Sequence, residues 1–140
     1  MIHEEICTYE VCKLAKEKGF NCKVYNYYQA TKYYCETLRG IELHSECWKL
    51  ETDDCYSRYN KGSEDIVSAP TQSLLQRWLR EEKGYYVYPF FDNESRRWTW
   101  VCRELTGDKW IQLLVFEERY FATYELALED ALKYVLKNLV

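Results

Sequence analysis

The chain has 140 residues and is poor in the residue types that mark the commonest catalytic sites. It holds two histidines, two prolines, five glycines and one methionine. The glycine-rich phosphate loops, the paired-histidine zinc motif and the serine nucleophile elbow are all missing from the sequence. We therefore predict a protein that is not an enzyme and needs no cofactor.

Long apolar runs are missing as well. No run approaches the roughly 18 to 20 residues that a membrane-spanning helix needs. The opening residues, MIHEEICTYEVCKLAKEKG, carry acids where a signal peptide carries bases, and they lack an apolar core. We expect a cytoplasmic protein that does not associate with membranes.

The chain also lacks an excess of basic charge. The net charge is −4, residues 1–68 carry 9 basic and 12 acidic side chains, and residues 69–140 carry 10 and 11. Phosphate backbones are held by clustered lysine and arginine, and neither half of the chain has a basic excess. The composition therefore argues against a nucleic acid as the partner.

Cysteine is plentiful, but no CxxC pair occurs. Seven cysteines stand at positions 7, 12, 22, 35, 47, 55 and 102. An odd number and the lack of an export signal favour free thiols in a reducing compartment. Two alternatives stay open: a zinc site that includes His3 or His44, and a catalytic cysteine that uses one of these histidines as its base. We predict free thiols and no bound metal.

Aromatic residues are what the chain has in abundance, with 14 tyrosines, five tryptophans and five phenylalanines. Tyrosine joins a rigid apolar ring to a polar hydroxyl and is common in protein interfaces. It is also an ordinary β-sheet former. The abundance of tyrosine is therefore compatible both with a binding surface and with plain sheet packing.

The first half of the chain predicts one helix and several strand pieces. Thr8 is a suitable N-cap for a helix over 8–18, Gly19 ends it, and Phe20 is expected to fold back onto its apolar stripe. The runs KVYNYY, KYYCETL and ECWKLE resemble strands, with a turn expected at Arg39–Gly40. The polar segment DDCYSRYNKGSED predicts a loop.

The second half is more regular. A helix is predicted over 71–83, with Pro70 in its first turn, either Ser68 or Thr71 as N-cap, and Gly84 as the left-handed C-cap. The helix has an apolar stripe that must pack against another part of the protein. The stripe consists of Leu74, Leu75, Trp78 and Leu79.

Three strands and a helix follow. The strands are predicted at 85–91, 96–105 and 110–117, with turns at DNES and TGDK, and Pro89 places the first at an edge or bulge. Thr123 caps a last helix over 124–138. The predicted fold class is α+β: for 69–140, an α-β-β-β-α unit in which two helices lie on one face of a three-stranded antiparallel meander. An N-terminal helix and a Tyr-rich region over 1–66 complete a single domain of residues 1–140.

Two segments of the chain resemble a known group. The runs APTQSLLQRWLREEKG and TYELALEDALKYVL, with the opening TYEVCKLAKEKGF, resemble small uncharacterised proteins of gut Bacteroidota and of their phages and prophages. The resemblance covers residues 8–20 and about 68–140. It implies a bacterial or phage protein that works in the host cytoplasm, and it implies no activity and no functional residue.

Two binding functions follow from the sequence. In the first, the protein docks on a host or phage protein through an aromatic surface. In the second, it holds a nucleotide-type small molecule, with rings stacked on the base and guanidinium groups on the phosphate. The candidate surface consists of Tyr86, Tyr88, Arg96, Arg97, Trp98, Trp100 and Arg103.

Both faces of the predicted sheet are rich in apolar residues. Two helices can cover only one face, and soluble monomers seldom leave a large aromatic patch in water. We therefore expect the second face to be covered by residues 1–66, by a second copy of the chain in a homodimer, or by a target.

Overall fold

The computed structural model describes residues 2–32, 38–44, 66–115 and 119–140. Within these ranges it contains three α-helices and two antiparallel sheets, which confirms the predicted α+β fold class. The chain divides into two compact units. One is Ile6–Pro70; the other, called the C-terminal unit, joins Met1–Glu5 to Thr71–Val140.

The Ile6–Pro70 unit begins with helix α1, Tyr9–Glu17. Thr8 is its N-cap, since the Thr8 Oγ1 accepts a hydrogen bond from the Val11 amide at 3.4 Å. Gly19 follows the helix with a φ of 89°, a left-handed conformation that glycine adopts without a steric penalty. Phe20 is buried, as its predicted return toward the helix requires.

Three strands complete the described part of this unit: β1 (Tyr27–Lys32), β2 (Leu38–His44) and β3 (Ile66–Ser68), in the antiparallel order β2-β1-β3. The turn predicted at Arg39–Gly40 is wrong, because both residues lie inside β2 and Gly40 pairs with Thr31. The register shifts between Thr31 and Lys32, and such a bulge is a common place for a glycine within a strand. The strand predicted at 46–51 and the loop at 53–65 lie outside the described residues.

The C-terminal unit contains helix α2, Gln72–Trp78, which continues as a π-helical turn over Leu79–Lys83. Of the two predicted N-caps, Thr71 is the one used, and its Oγ1 accepts a hydrogen bond from the Leu74 amide at 3.2 Å. The prediction that placed Pro70 in the first turn is wrong, because Pro70 precedes the cap. Its fixed φ suits the extended chain at that position as well as it suits a helix. Gly84 ends the π-helical turn with a φ of 74°.

The sheet of this unit has the predicted meander. Strands β4 (Tyr85–Asp92), β5 (Arg97–Thr106) and β6 (Lys109–Val115) pair antiparallel in the order β4-β5-β6. Pro89 therefore lies on an edge strand, where its missing N–H breaks no ladder. Helix α3, Tyr124–Asn138, follows with Thr123 as its N-cap.

One face of this sheet, called the helix face, packs against α3. Its residues include the cross-strand pairs Val87–Cys102 and Phe91–Trp98, with Trp100 between them on β5. Trp100 is fully buried; its indole Nε1 donates a hydrogen bond of 2.9 Å to Asp130 Oδ2, and its ring lies 5.4 Å from that of Tyr134. The helix face is therefore part of the core.

The two helices are joined by a buried amide. The Gln72 side chain is 5% exposed, and its Nε2 donates to the Glu125 carbonyl oxygen at 2.9 Å and to Glu129 Oε2 at 2.8 Å. Leu75, Trp78 and Leu79 are buried as their stripe predicts. Packing of α2 beside α3 accordingly combines apolar burial with a polar link.

The opposite side of the sheet is called the second face. Thr99 and Val101, at its centre on β5, are 2% and 4% exposed, whereas Phe90 and Leu105 are 37% and 42% exposed. The register of the β5–β6 pair shifts between Cys102 and Arg103: Cys102 pairs with Leu114 and Arg103 pairs with Gln112. A bulge of this kind adds a residue to one of the two strands.

Candidate binding surface

Five side chains of the C-terminal unit form a contiguous group that we call the aromatic–arginine cluster: Arg80, Tyr86, Tyr88, Arg103 and Trp110. The Tyr86 ring centroid lies 4.8 Å from that of Tyr88 and 6.0 Å from that of Trp110. The Arg80 Cζ stands 5.4 Å from the centre of the Tyr86 ring, and the Arg103 Cζ stands 5.9 Å from that of Tyr88. Both distances are within the range of a cation–π contact.

Strand pairing brings the four sheet residues of this cluster to the second face. Tyr86 pairs with Arg103 across β4 and β5, and Leu105 pairs with Trp110 across β5 and β6. Side chains two residues apart on a strand share a face, which adds Tyr88 to Tyr86 and Leu105 to Arg103. Three adjacent strands thus contribute to a single patch.

Arg80 reaches the cluster from the π-helical turn. Such turns are rare and occur often at functional sites, because the extra residue redirects the side chains that follow. Gly84 then reverses the chain, and Tyr86 comes six residues after Arg80. The local backbone therefore determines which tyrosine ring the Arg80 guanidinium covers.

Among the described residues, the Arg103 side chain has a buried polar atom without a hydrogen-bond partner. Its Nε is inaccessible to solvent and finds no hydrogen-bond acceptor among the described residues. A buried donor without an acceptor costs about 1–3 kcal/mol, and more for a charged group. Native proteins retain few such atoms, and each one calls for an explanation.

On the face of the sheet opposite the cluster, two side chains have raised pKa values. Burial, reinforced by the Glu104 carboxylate, raises the pKa of Tyr85, whose hydroxyl lies 3.5 Å from Glu104 Oε1. On the helix face, burial raises the pKa of the Cys102 thiol to about 11, with Glu104 adding to the effect. Both groups stay protonated at neutral pH, so the arginines are the charged groups that define the cluster.

The structure divides the seven residues of the sequence-predicted surface among three places. Tyr86, Tyr88 and Arg103 lie together in the cluster. Trp98 and Trp100 lie on the helix face, where Trp98 packs between Phe91 and Tyr124 and where Trp100 is fully buried.

The remaining two residues are at the β4–β5 connection. Arg96 ends the turn with a φ of 55°, and Arg97 is exposed at the start of β5. The structure thus brings together three of the seven predicted residues and separates the other four from them.

No protein-family model, curated protein or solved structure matches the chain. In the part of the chain that the structure describes, no group of three His, Cys, Asp or Glu side chains is arranged to hold a metal ion. No helix of the same residues is long and apolar enough to cross a bilayer.

Two members of the cluster, Arg80 and Trp110, are absent from the sequence-predicted surface. Strand alternation separates Trp110 from Ile111, but it does not show which of the two lies on the helix face. An α-helical projection places Arg80 on the polar side of α2, and the π-helical turn has no sequence signal that would correct this. The only sequence feature that indicates a contact between Arg80 and Tyr86 is their position on either side of Gly84, where the chain reverses.

Proposed function

We propose that this protein is a non-catalytic binding protein that docks an acidic segment of a partner protein on the aromatic–arginine cluster. The observation that carries the proposal is the pair of guanidinium groups, of Arg80 and Arg103, that are held over the Tyr86 and Tyr88 rings on one face of the sheet. The Arg103 Nε is enclosed, but the residue as a whole is only half-buried, so the partner's carboxylate binds the terminal Nη groups, through the two parallel hydrogen bonds that guanidinium and carboxylate form.

The surroundings of Arg103 suit such an interaction. Tyrosine, tryptophan and arginine are the residue types that contribute most to binding energy at protein interfaces. The two guanidinium groups are held against tyrosine rings, so less side-chain entropy is lost when a ligand binds. Leu105 and Phe90, both more than a third exposed, offer apolar contact area on the same face.

The ring geometry favours a protein partner over the nucleotide-type alternative. A base is gripped best between two parallel aromatic faces. Here the Tyr86 ring meets the Trp110 ring at 65° and the Tyr88 ring at 40°, so the cluster offers no parallel slot. Edge-to-face packing of this kind instead makes a continuous apolar surface with two cations in it.

The resemblance to proteins of gut Bacteroidota and their phages suggests the setting. It supports a partner of host or phage origin, met in the cytoplasm. A homodimer that uses the same face remains an alternative, and the oligomeric state of the purified chain distinguishes it from a complex with another protein.

The first test uses a hexaglutamate peptide as the probe and hexalysine as its opposite. NMR of the full chain should show the Arg103 Nε–Hε signal shifting with hexaglutamate and remaining in place with hexalysine. Arg103→Gln should weaken hexaglutamate binding about tenfold or more, because a charge-assisted hydrogen bond is lost. Arg97→Gln removes the same charge from the same strand and should leave binding within about twofold.

Two outcomes contradict the proposal. In the first, the Arg103 NMR signal does not shift when hexaglutamate is added. In the second, Arg103→Gln and Arg97→Gln weaken hexaglutamate binding equally. Adenosine diphosphate serves as a third probe. If it shifts the Arg103 signal at a lower concentration than hexaglutamate does, the nucleotide-type alternative replaces the protein partner.

A further inference from the structure

A second site lies on the flank of α3 and involves none of the cluster residues. It is a cleft of about 230 Å³, lined by Arg119, Asp130, Lys133, Tyr134, Lys137 and Asn138. Five of these residues come from one side of the helix, and Arg119 comes from the segment that precedes it. Three of the six are cationic in a protein whose net charge is −4.

The buried Trp100 anchors two walls of this cleft. Its Nε1 donates to Asp130 Oδ2 at 2.9 Å, and its ring supports the Tyr134 ring at 5.4 Å. The other Asp130 oxygen, Oδ1, lies 3.4 Å from Arg119 Nη2. Since a guanidinium holds its five donors in a rigid fork, fixing one N–H group orients the others.

Charge and size together indicate the class of ligand. The lining carries three cations, Arg119, Lys133 and Lys137, and one carboxylate, Asp130, a predominantly basic set of the kind that binds a phosphate monoester, whose charge is about −1.5 to −2 at neutral pH. The cleft is smaller than the roughly 300–1,000 Å³ of pockets that enclose whole drug-sized molecules. It suits a single phosphoryl group better than an entire nucleotide.

We propose that this cleft binds the phosphoryl group of a small molecule. Lys133 and Lys137, one helical turn apart on α3, supply two charges on one side, and Arg119 supplies a planar set of donors on the other. The Asn138 side-chain Nδ2 donates a hydrogen bond of 3.0 Å to the Tyr134 backbone carbonyl oxygen, and this contact fixes the cleft wall. Asp130 is a positioning residue that acts through Arg119.

The test is calorimetric titration of the full chain at low ionic strength with inorganic phosphate, adenosine monophosphate and acetate. Phosphate and adenosine monophosphate should bind, acetate should bind at least tenfold more weakly, and phosphate binding should weaken as salt is added. Equal affinity for the two phosphorylated probes identifies the free phosphoryl group as the ligand. Tighter binding of adenosine monophosphate identifies a nucleoside monophosphate that uses the same subsite.

Variants locate the site. Arg119→Gln, Lys133→Gln and Lys137→Gln should each weaken phosphate binding about 2- to 10-fold, as expected for contacts with partly exposed charges. Lys109→Gln removes an exposed lysine from the start of β6 and should have no effect. Arg103→Gln should also have none, so the result does not depend on the aromatic–arginine cluster. The proposal is overturned if acetate binds as well as phosphate, or if all three cleft variants bind phosphate as the unmodified chain does.

Discussion

At the scale of single residues, position in the sheet decides what a side chain does, and Trp100 and Trp110 are the clearest case. Both are tryptophans on adjacent strands. Trp100 is fully buried and anchors Asp130 and Tyr134, whereas Trp110 meets Tyr86 on the second face. A count of aromatic residues could not separate these two roles, because only strand register and the position of α3 distinguish them.

Cys102 makes stability depend on pH in the alkaline range. Its pKa is raised from 9.0 to about 11 in the folded chain, so between these values the unfolded chain releases a proton that the folded chain retains. The free energy of unfolding should therefore fall as pH rises from 9 to 11, and one proton changes it by at most about 1.4 kcal/mol per pH unit. Urea unfolding at pH 8, 9, 10 and 11 measures this fall.

Cys102→Ala is the matching variant. Its overall stability is expected to be lower because a buried side chain shrinks, but its decline between pH 9 and 11 should be shallower than that of the unmodified chain. Between pH 6 and 8 the difference between the two proteins should stay constant. Two curves that run parallel up to pH 11 would show that the Cys102 thiol ionises equally in both states.

At the scale of secondary-structure elements, Gln72 connects α2 to α3. Gln72→Glu keeps the shape of the side chain but replaces the donor amide with a carboxylate facing the Glu129 carboxylate, now 2.8 Å from the amide nitrogen. We expect a loss of about 2–4 kcal/mol in the free energy of unfolding at pH 7, since two buried hydrogen bonds are broken and a like charge is added. Chemical denaturation measures this loss.

Gln72→Met separates the two contributions. It removes both hydrogen bonds without adding charge, so its loss should be about 1–2 kcal/mol and should not change with pH. The deficit of Gln72→Glu should shrink toward pH 4, where carboxylates take up protons. If the two variants are equally stable at pH 7, repulsion between the added carboxylate and Glu129 does not contribute to the loss.

The elements that could be predicted from the sequence are those with local signals. Thr71 and Thr123 cap their helices, Gly84 takes the left-handed conformation, and the strands of the β4-β5-β6 sheet begin and end within two residues of their predicted limits. The sequence could not show the π-helical turn or the register shift beside Arg103. Both depend on packing between distant segments and not on local propensity.

The candidate site could also be predicted only in part, from the alternation of residues along the strands. Alternation placed Tyr86 and Tyr88 on one face and separated Trp100 from Arg103. It could not show which face α3 covers, because apolar residues occupy both sides of the strands. The grouping of Arg80 with Tyr86 and the anchoring of Arg119 through Asp130 are tertiary contacts without a sequence pattern.

At the scale of the whole molecule, the C-terminal unit is built from two separate pieces of chain. The Glu5 carbonyl oxygen accepts a hydrogen bond of 2.8 Å from the Gln72 amide, one of the amides that a helix start leaves unsatisfied, and Glu4 Oε1 accepts one of 2.9 Å from Ser73 Oγ. Deleting residues 2–5 should expose the Gln72 amide to rapid hydrogen exchange. The free energy of unfolding of this unit should fall by about 0.5–1.5 kcal/mol.

Glu4→Ala is the control for that deletion. The bond from Ser73 to Glu4 is exposed, so its loss should change stability by less than about 0.5 kcal/mol and leave the Gln72 amide protected. Hydrogen exchange followed by NMR distinguishes the two proteins residue by residue. Continued protection of Gln72 in the deleted chain would mean that α2 starts without help from residues 2–5.

The same division has a consequence for the order of biosynthesis. A ribosome makes residues 1–5 and then all 65 residues of Ile6–Pro70 before the first residue of α2 exists. At about 5–20 residues per second, this interval is roughly 3–13 s. Residues 2–5 thus spend those seconds without the helix they will bind, and the Ile6–Pro70 unit has been fully synthesised by the time α2 begins. Synthesis of the inserted unit is therefore completed first, and a nascent chain that stalls before Thr71 contains residues 1–5 without the helix they bind.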